Sequence, residues 1–155
     1  MIQRVQTLYL LGAVVLMALA FFLPLALFTT EAGTATFKAY ELIGTDGVVE
    51  KVPSYLMFLM LVAMWLPLYI VFLYKKRLSQ IRFCVVEMVL LVGVLLVAGL
   101  YCYRLYELFG QTYELVAISI RWTIACPLVA VLFSYLAMRA IFKDEMLVRA
   151  ADRIR

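Results

Sequence analysis

Four long stretches of this chain carry almost no polar residue, and the segments between them are short. They run Leu8–Phe28, Tyr55–Tyr74 and Phe83–Tyr103, with a fourth between Leu115 and Phe142 that is placed at about 117–140. A helix rises about 1.5 Å per residue, so ~20 apolar residues cross a hydrocarbon core ~30 Å thick. The pattern predicts an all-α integral membrane protein, a four-transmembrane-helix bundle, with residues 1–155 forming one membrane domain. The first stretch is read as a retained helix, because no small-x-small cleavage pattern follows it as it would a signal peptide.

Two segments break the apolar pattern. The connection 29–54 contains "TATFKAYELIGTDGVVEKVPS", with strand-like residues on both sides of Asp46-Gly47. That pair suits a tight turn, so a short β-hairpin is expected there. The second segment is the end of the chain, where a charged amphipathic helix is expected over 143–155. Phe142, Met146, Leu147, Ala150, Ala151 and Ile154 cover one half of its wheel, and Asp144, Glu145, Arg149, Asp152, Arg153 and Arg155 cover the other, with Val148 and Lys143 as exceptions. Glu145 and Arg149 stand four apart and Arg149 and Asp152 three apart, spacings that brace a helix. Its apolar face is short and contains two alanines, so it suits packing on protein better than insertion into lipid.

Composition agrees with the pattern: 67% of residues are hydrophobic and the mean hydropathy is +1.03. The charges then orient the threading. Arg4, Lys75, Lys76, Arg77, Arg82, Arg139, Lys143, Arg149, Arg153 and Arg155 fall on one side, and Lys38, Lys51, Arg104 and Arg121 on the other. The positive-inside rule puts the first group, and with it both termini, in the cytoplasm. The net charge of +4 therefore reflects topology, and nucleic acid is not an expected partner. The lipid bilayer is one, and a membrane-protein partner or a second copy of the chain is another.

The inventory of reactive groups is sparse. There is no histidine, which removes Ser–His and Cys–His nucleophile systems and the usual zinc sites. Phosphate-binding glycine motifs are absent, and no cofactor is implied. Cys84, Cys102 and Cys126 lie inside or at the edge of spans without C-x-x-C pairing, and they read as packing thiols. An enzyme is not expected.

Two intramembrane ionisable residues stand out, since a charge inside a span is costly. Glu87 lies about one turn inside the third span, where an ion pair with Arg82, Arg139 or the 75–77 cluster is the first expectation and a proton-carrying role the second. Arg121 sits within the fourth span if that span starts at Leu115, and outside it if the span starts at Trp122. Ser119, Thr123, Cys126, Ala130, Ser134 and Ala137 follow at intervals of three and four, a ridge of small residues for close helix packing. Pro24, Pro67 and Pro127 are expected to mark kinks within or near span ends.

The start "MIQRVQTLYLL" and the end "DEMLVRAADRIR", with four spans between them, resemble the small Gram-negative membrane proteins grouped as domain-of-unknown-function family 4293. The resemblance implies a bacterial inner-membrane four-helix protein of unassigned activity and supplies no catalytic residues. The expected function is that of a non-enzymatic accessory or assembly subunit. Arg4, Glu145, Arg149, Asp152 and Arg153 are its candidate interaction residues, and the alternative is a small oligomeric transporter or channel using Glu87.

Overall fold

The computed structural model describes residues 3–51, 54–74, 76–113 and 116–152. The first helix, α1, spans Gln3–Phe22 and stops six residues short of the expected Phe28. Pro24 has no N–H to donate and disfavours helical geometry in the residue before it, so the helix cannot pass through. The following "ALFTT" takes up the extended form suited to aromatic and β-branched side chains, as strand β1, Ala26–Thr30.

The expected hairpin is part of a larger sheet. After β1 come β2 (Gly33–Phe37), β3 (Glu41–Ile43) and β4 (Val49–Lys51), each antiparallel to the one before. The β3–β4 turn falls at Asp46-Gly47 as its residues suggest, with Gly47 at φ 73°. A fifth strand, β5 (Val116–Ile120), pairs with β1 in the register Ala26↔Ile120, giving the order β4-β3-β2-β1-β5. Residues 117–120, expected at the head of the fourth span, are thus strand: "VAISI" is short and rich in β-branched residues, and hydropathy alone does not separate such a run from the start of a helix.

Helix α2 spans Ser54–Phe72, and α3 spans Arg77–Thr112, well beyond the expected 83–103 at both ends. A 3₁₀ turn, Trp122–Ala125, leads into α4, Cys126–Asp152. The tail is therefore the continuation of the fourth helix and not a separate element. Pro127 causes no break there, because a first helical turn has no N–H obligation at that position.

The four helices close into a ring in which α1 packs on α2 and α4, and α3 packs on α2 and α4. The last turns of α3 run past the ring and carry the sheet. Phe109 meets Phe28 at 5.5 Å between ring centres, Tyr101 stacks on Phe37 at 5.4 Å, and the Thr45 and Tyr113 hydroxyls hydrogen-bond at 3.2 Å. The seam between α1 and the sheet is clipped from the far side. Arg121 N donates to Leu25 O, and the Thr123 hydroxyl donates to Pro24 O.

Large apolar side chains face outward as well as inward, unlike those of a soluble bundle. Leu8, Val15, Phe22, Phe58, Trp65, Phe72, Val89, Leu96, Leu100, Leu128 and Leu132 face outward, while Ala13, Ala20, Ala63, Ala98, Ala130, Ser134 and Glu87 face inward. All four helices are long and apolar enough to cross a membrane, which marks a multi-pass membrane protein.

Candidate functional site in the bundle interior

The interior is built in layers. On α3 the buried stripe runs Gln80, Cys84, Glu87, Leu91, Val94, with intervals of three and four that keep one face of a helix inward. On α2 it runs Ile70, Pro67, Ala63, Met60, Leu56 in the opposite direction. Gln80 Nε2 donates to Ile70 O at 2.8 Å and fixes the register of these two helices. The register of α3 with α4 is fixed by Arg77, whose Nη1 lies 3.0 Å from Asp144 Oδ2. Helices α1 and α4 approach closely at Gly12, where an added Cβ would stand 3.3 Å from the Phe133 ring.

Those anchors set the levels. Gln6, Ile70, Gln80 and Ile141 form the first layer from the tail end, followed by Leu10, Pro67, Cys84 and Ala137. Counted along the helices from those anchors, Ala13, Ala63 and Ser134, all buried and small, fall on the level of Glu87. Met17, Met60, Leu91 and Ala130 come next, then Ala20, Leu56, Val94 and Cys126 below the sheet.

Glu87 is fully buried, and neither of its carboxyl oxygens has a hydrogen-bond partner among the described residues. No basic side chain among the described residues forms the expected ion pair, and Lys75 lies outside them. Arg82 and Arg139 are exposed on the outer surfaces of their helices, and Arg77 is engaged with Asp144 more than two turns away. Ser134, also fully buried, has an unpartnered hydroxyl on the same level. A third polar atom is supplied by the backbone. Pro67 has no N–H to give the carbonyl four residues earlier, so Ala63 O lacks its usual helical donor.

The other candidates lie elsewhere. Arg121 is exposed in the link between β5 and the 3₁₀ turn, outside the fourth helix, so it is no partner in a buried relay. Of the small-residue ridge, Thr123, Cys126, Ala130, Ser134 and Ala137 face the bundle's own interior, while Ser119 belongs to β5 and is exposed. All three cysteines are free and buried.

At the tail end, Glu145 and Val148 border an open groove of about 520 Å³ whose other wall is Lys76, Arg77, Leu78 and Ser79. Arg153 lies outside the described residues, as do the side chains of Arg4, Arg149 and Asp152. Sequence reasoning singled out Glu87 and Ser134 separately and missed Gln6, Gln80 and Ala63. The signal for them was present: Gln80, Cys84 and Glu87 share one stripe, and Pro67 stands four residues after Ala63.

Four apolar helices closed around a polar-centred interior, topped by a five-stranded sheet, define a multi-pass membrane protein of the four-helix class. The family model described as Domain of unknown function (DUF4293) matches residues 2–154, and the chain belongs to that family. A search of the curated proteins finds no match.

Proposed function

We propose that this is a non-enzymatic accessory or assembly subunit of a larger complex in the bacterial inner membrane. Both termini would be cytoplasmic and the sheet would lie on the opposite side. The observation that carries the reading is the reach of α4. The Arg77–Asp144 pair marks where α3 begins, and α4 continues two turns further, to Asp152, with Met146, Leu147 and Val148 exposed. A helix end with uncovered apolar side chains beside charged ones suits a protein partner. The cytoplasmic placement rests on the unequal distribution of Lys and Arg between the two ends of the bundle.

Purification from the native membrane in mild detergent is expected to recover a second protein, and removal of the residues after Asp144 to release it. A lone species, unchanged by crosslinking, overturns the reading.

A second reading is a small oligomeric transporter or channel. It is favoured by the buried Glu87, since an intramembrane carboxyl without a counter-charge marks a candidate pathway. One ring of four helices with small, closely packed layers leaves little room for a pathway, so two or more copies would have to form it. Flux in reconstituted vesicles that is lost in Glu87→Gln supports this reading; flux that survives the substitution removes it.

A further inference from the structure

We propose that Glu87, the Ser134 hydroxyl and the Ala63 carbonyl form a proton-binding site in the centre of the bundle, loaded from the end that carries Arg77 and Asp144. The inference goes beyond both readings above and holds whether or not anything is transported.

Chemical complementarity is the first reason. A protonated carboxyl has one O–H to donate and a carbonyl oxygen to accept with. Its level of the bundle holds one carbonyl that Pro67 deprives of its usual helical donor, Ala63 O, and one hydroxyl without a partner among the described residues, that of Ser134. Neither Glu87 oxygen is bonded to Ser134 in the structure; a change of side-chain rotamer would let the protonated acid donate to the carbonyl and accept from the hydroxyl. The ionised form would find one donor for a full charge enclosed among alanines, which is an expensive arrangement.

The same count argues against a metal cation. Hard cations take about six oxygen ligands, and this layer supplies at most the two carboxyl oxygens, the hydroxyl and the carbonyl. Among the described residues, no charged side chain faces Glu87 from the packed elements. The interior stripes of α2 and α4 bring Ala63 and Ser134, α1 brings Ala13, and on α3 itself Cys84, one turn away, is the titratable neighbour.

The direction of access follows from the layers. A cavity of about 220 Å³ opens at the tail end, lined in part by Gln6, Thr7, Tyr74, Gln80 and the Arg77–Asp144 pair. Gln80 stands seven residues before Glu87, or ~10 Å along the helix, and one layer separates them. On the other side lie two apolar layers and then the sheet.

The test is infrared spectroscopy of the protein in lipid vesicles. A protonated-carboxyl band is expected in the wild type and is expected to vanish in Glu87→Gln. Alkalinising the tail-end compartment should convert that band to carboxylate promptly, and alkalinising the sheet-end compartment should do so only slowly.

The proposal falls if the variant loses no such band, or if the band stays fixed at every pH at which the helices persist. It also falls if sodium ions displace the proton at neutral pH, or if the sheet-end compartment acts first. Should the Gln variant fail to assemble, the wild type can be treated with dicyclohexylcarbodiimide, which reacts with protonated carboxyls in apolar surroundings. Labelling at Glu87 that declines as the tail-end pH is raised supports the site, and no labelling, or labelling indifferent to pH, overturns it.

Discussion

A glutamate enclosed by two alanines and a serine is tolerable if it is neutral, and this sets the first expectation for substitutions at position 87. Glutamine keeps the shape and neutrality of the protonated acid while adding one N–H, so Glu87→Gln should cost far less stability than a charged replacement. Lysine places an unpaired charge on the same level, and Glu87→Lys should cost about 3 kcal/mol or more. Thermal unfolding in one detergent separates the two cases, and a Gln variant as damaged as the Lys variant would mean that Glu87 has an ionic partner. The small neighbours matter as much as the acid. Ala13 is fully buried on this level, and Ala13→Leu should destabilise by about 1–3 kcal/mol through overpacking, read in the same melt.

At the scale of elements, two hydrogen bonds clip the joint between α1 and the sheet. Thr123 is buried and its hydroxyl donates to Pro24 O, the carbonyl left outside α1 where the helix ends. Thr123→Val keeps the shape and removes the donor, so it should cost about 1–3 kcal/mol because the acceptor stays enclosed, while Thr123→Ser should recover most of the loss. The Lys38–Glu41 pair behind β3 is a weaker brace. The Glu41 carboxylate holds the Lys38 ammonium above its ordinary range, despite some desolvation. A lysine held higher when folded than unfolded contributes its stability in full below the unfolded value and loses it as pH rises through the folded one. Sheet stability should therefore fade slightly at strongly alkaline pH, by less than about 1 kcal/mol, and Glu41→Gln should remove that dependence.

The same joint shows why the sequence was legible only in part. The four apolar helices and the Asp46-Gly47 turn are local and could be read directly. The partnership of β5 with β1 joins residues about ninety positions apart, and no local pattern announces it. Glu87 was conspicuous as a lone charge, but its environment depended on the register of four helices. Gln80 with Ile70 and Arg77 with Asp144 set that register through tertiary contacts.

For the whole molecule, the two ends of the bundle differ in kind, and this makes the orientation testable. One end is the sheet carried on α3, where Asp46 is exposed at a turn; the other is the α4 extension, where Lys143 is exposed. The described basic residues Lys76, Arg77, Arg82, Arg139 and Lys143 gather at the second end, which the proposed bacterial inner-membrane topology puts in the cytoplasm. Cysteine labelling is well suited to the question because the three native thiols are buried and should stay silent. In Asp46→Cys, a membrane-impermeant maleimide should react with cells whose outer membrane alone has been opened. In Lys143→Cys, reaction should wait until the inner membrane is also breached. The reverse order would place the α4 extension outside, and a cytoplasmic partner for it would then be untenable. It would also move the polar cavity, and with it the entry to Glu87, to the opposite compartment, so this measurement fixes which solution the buried carboxyl would sense.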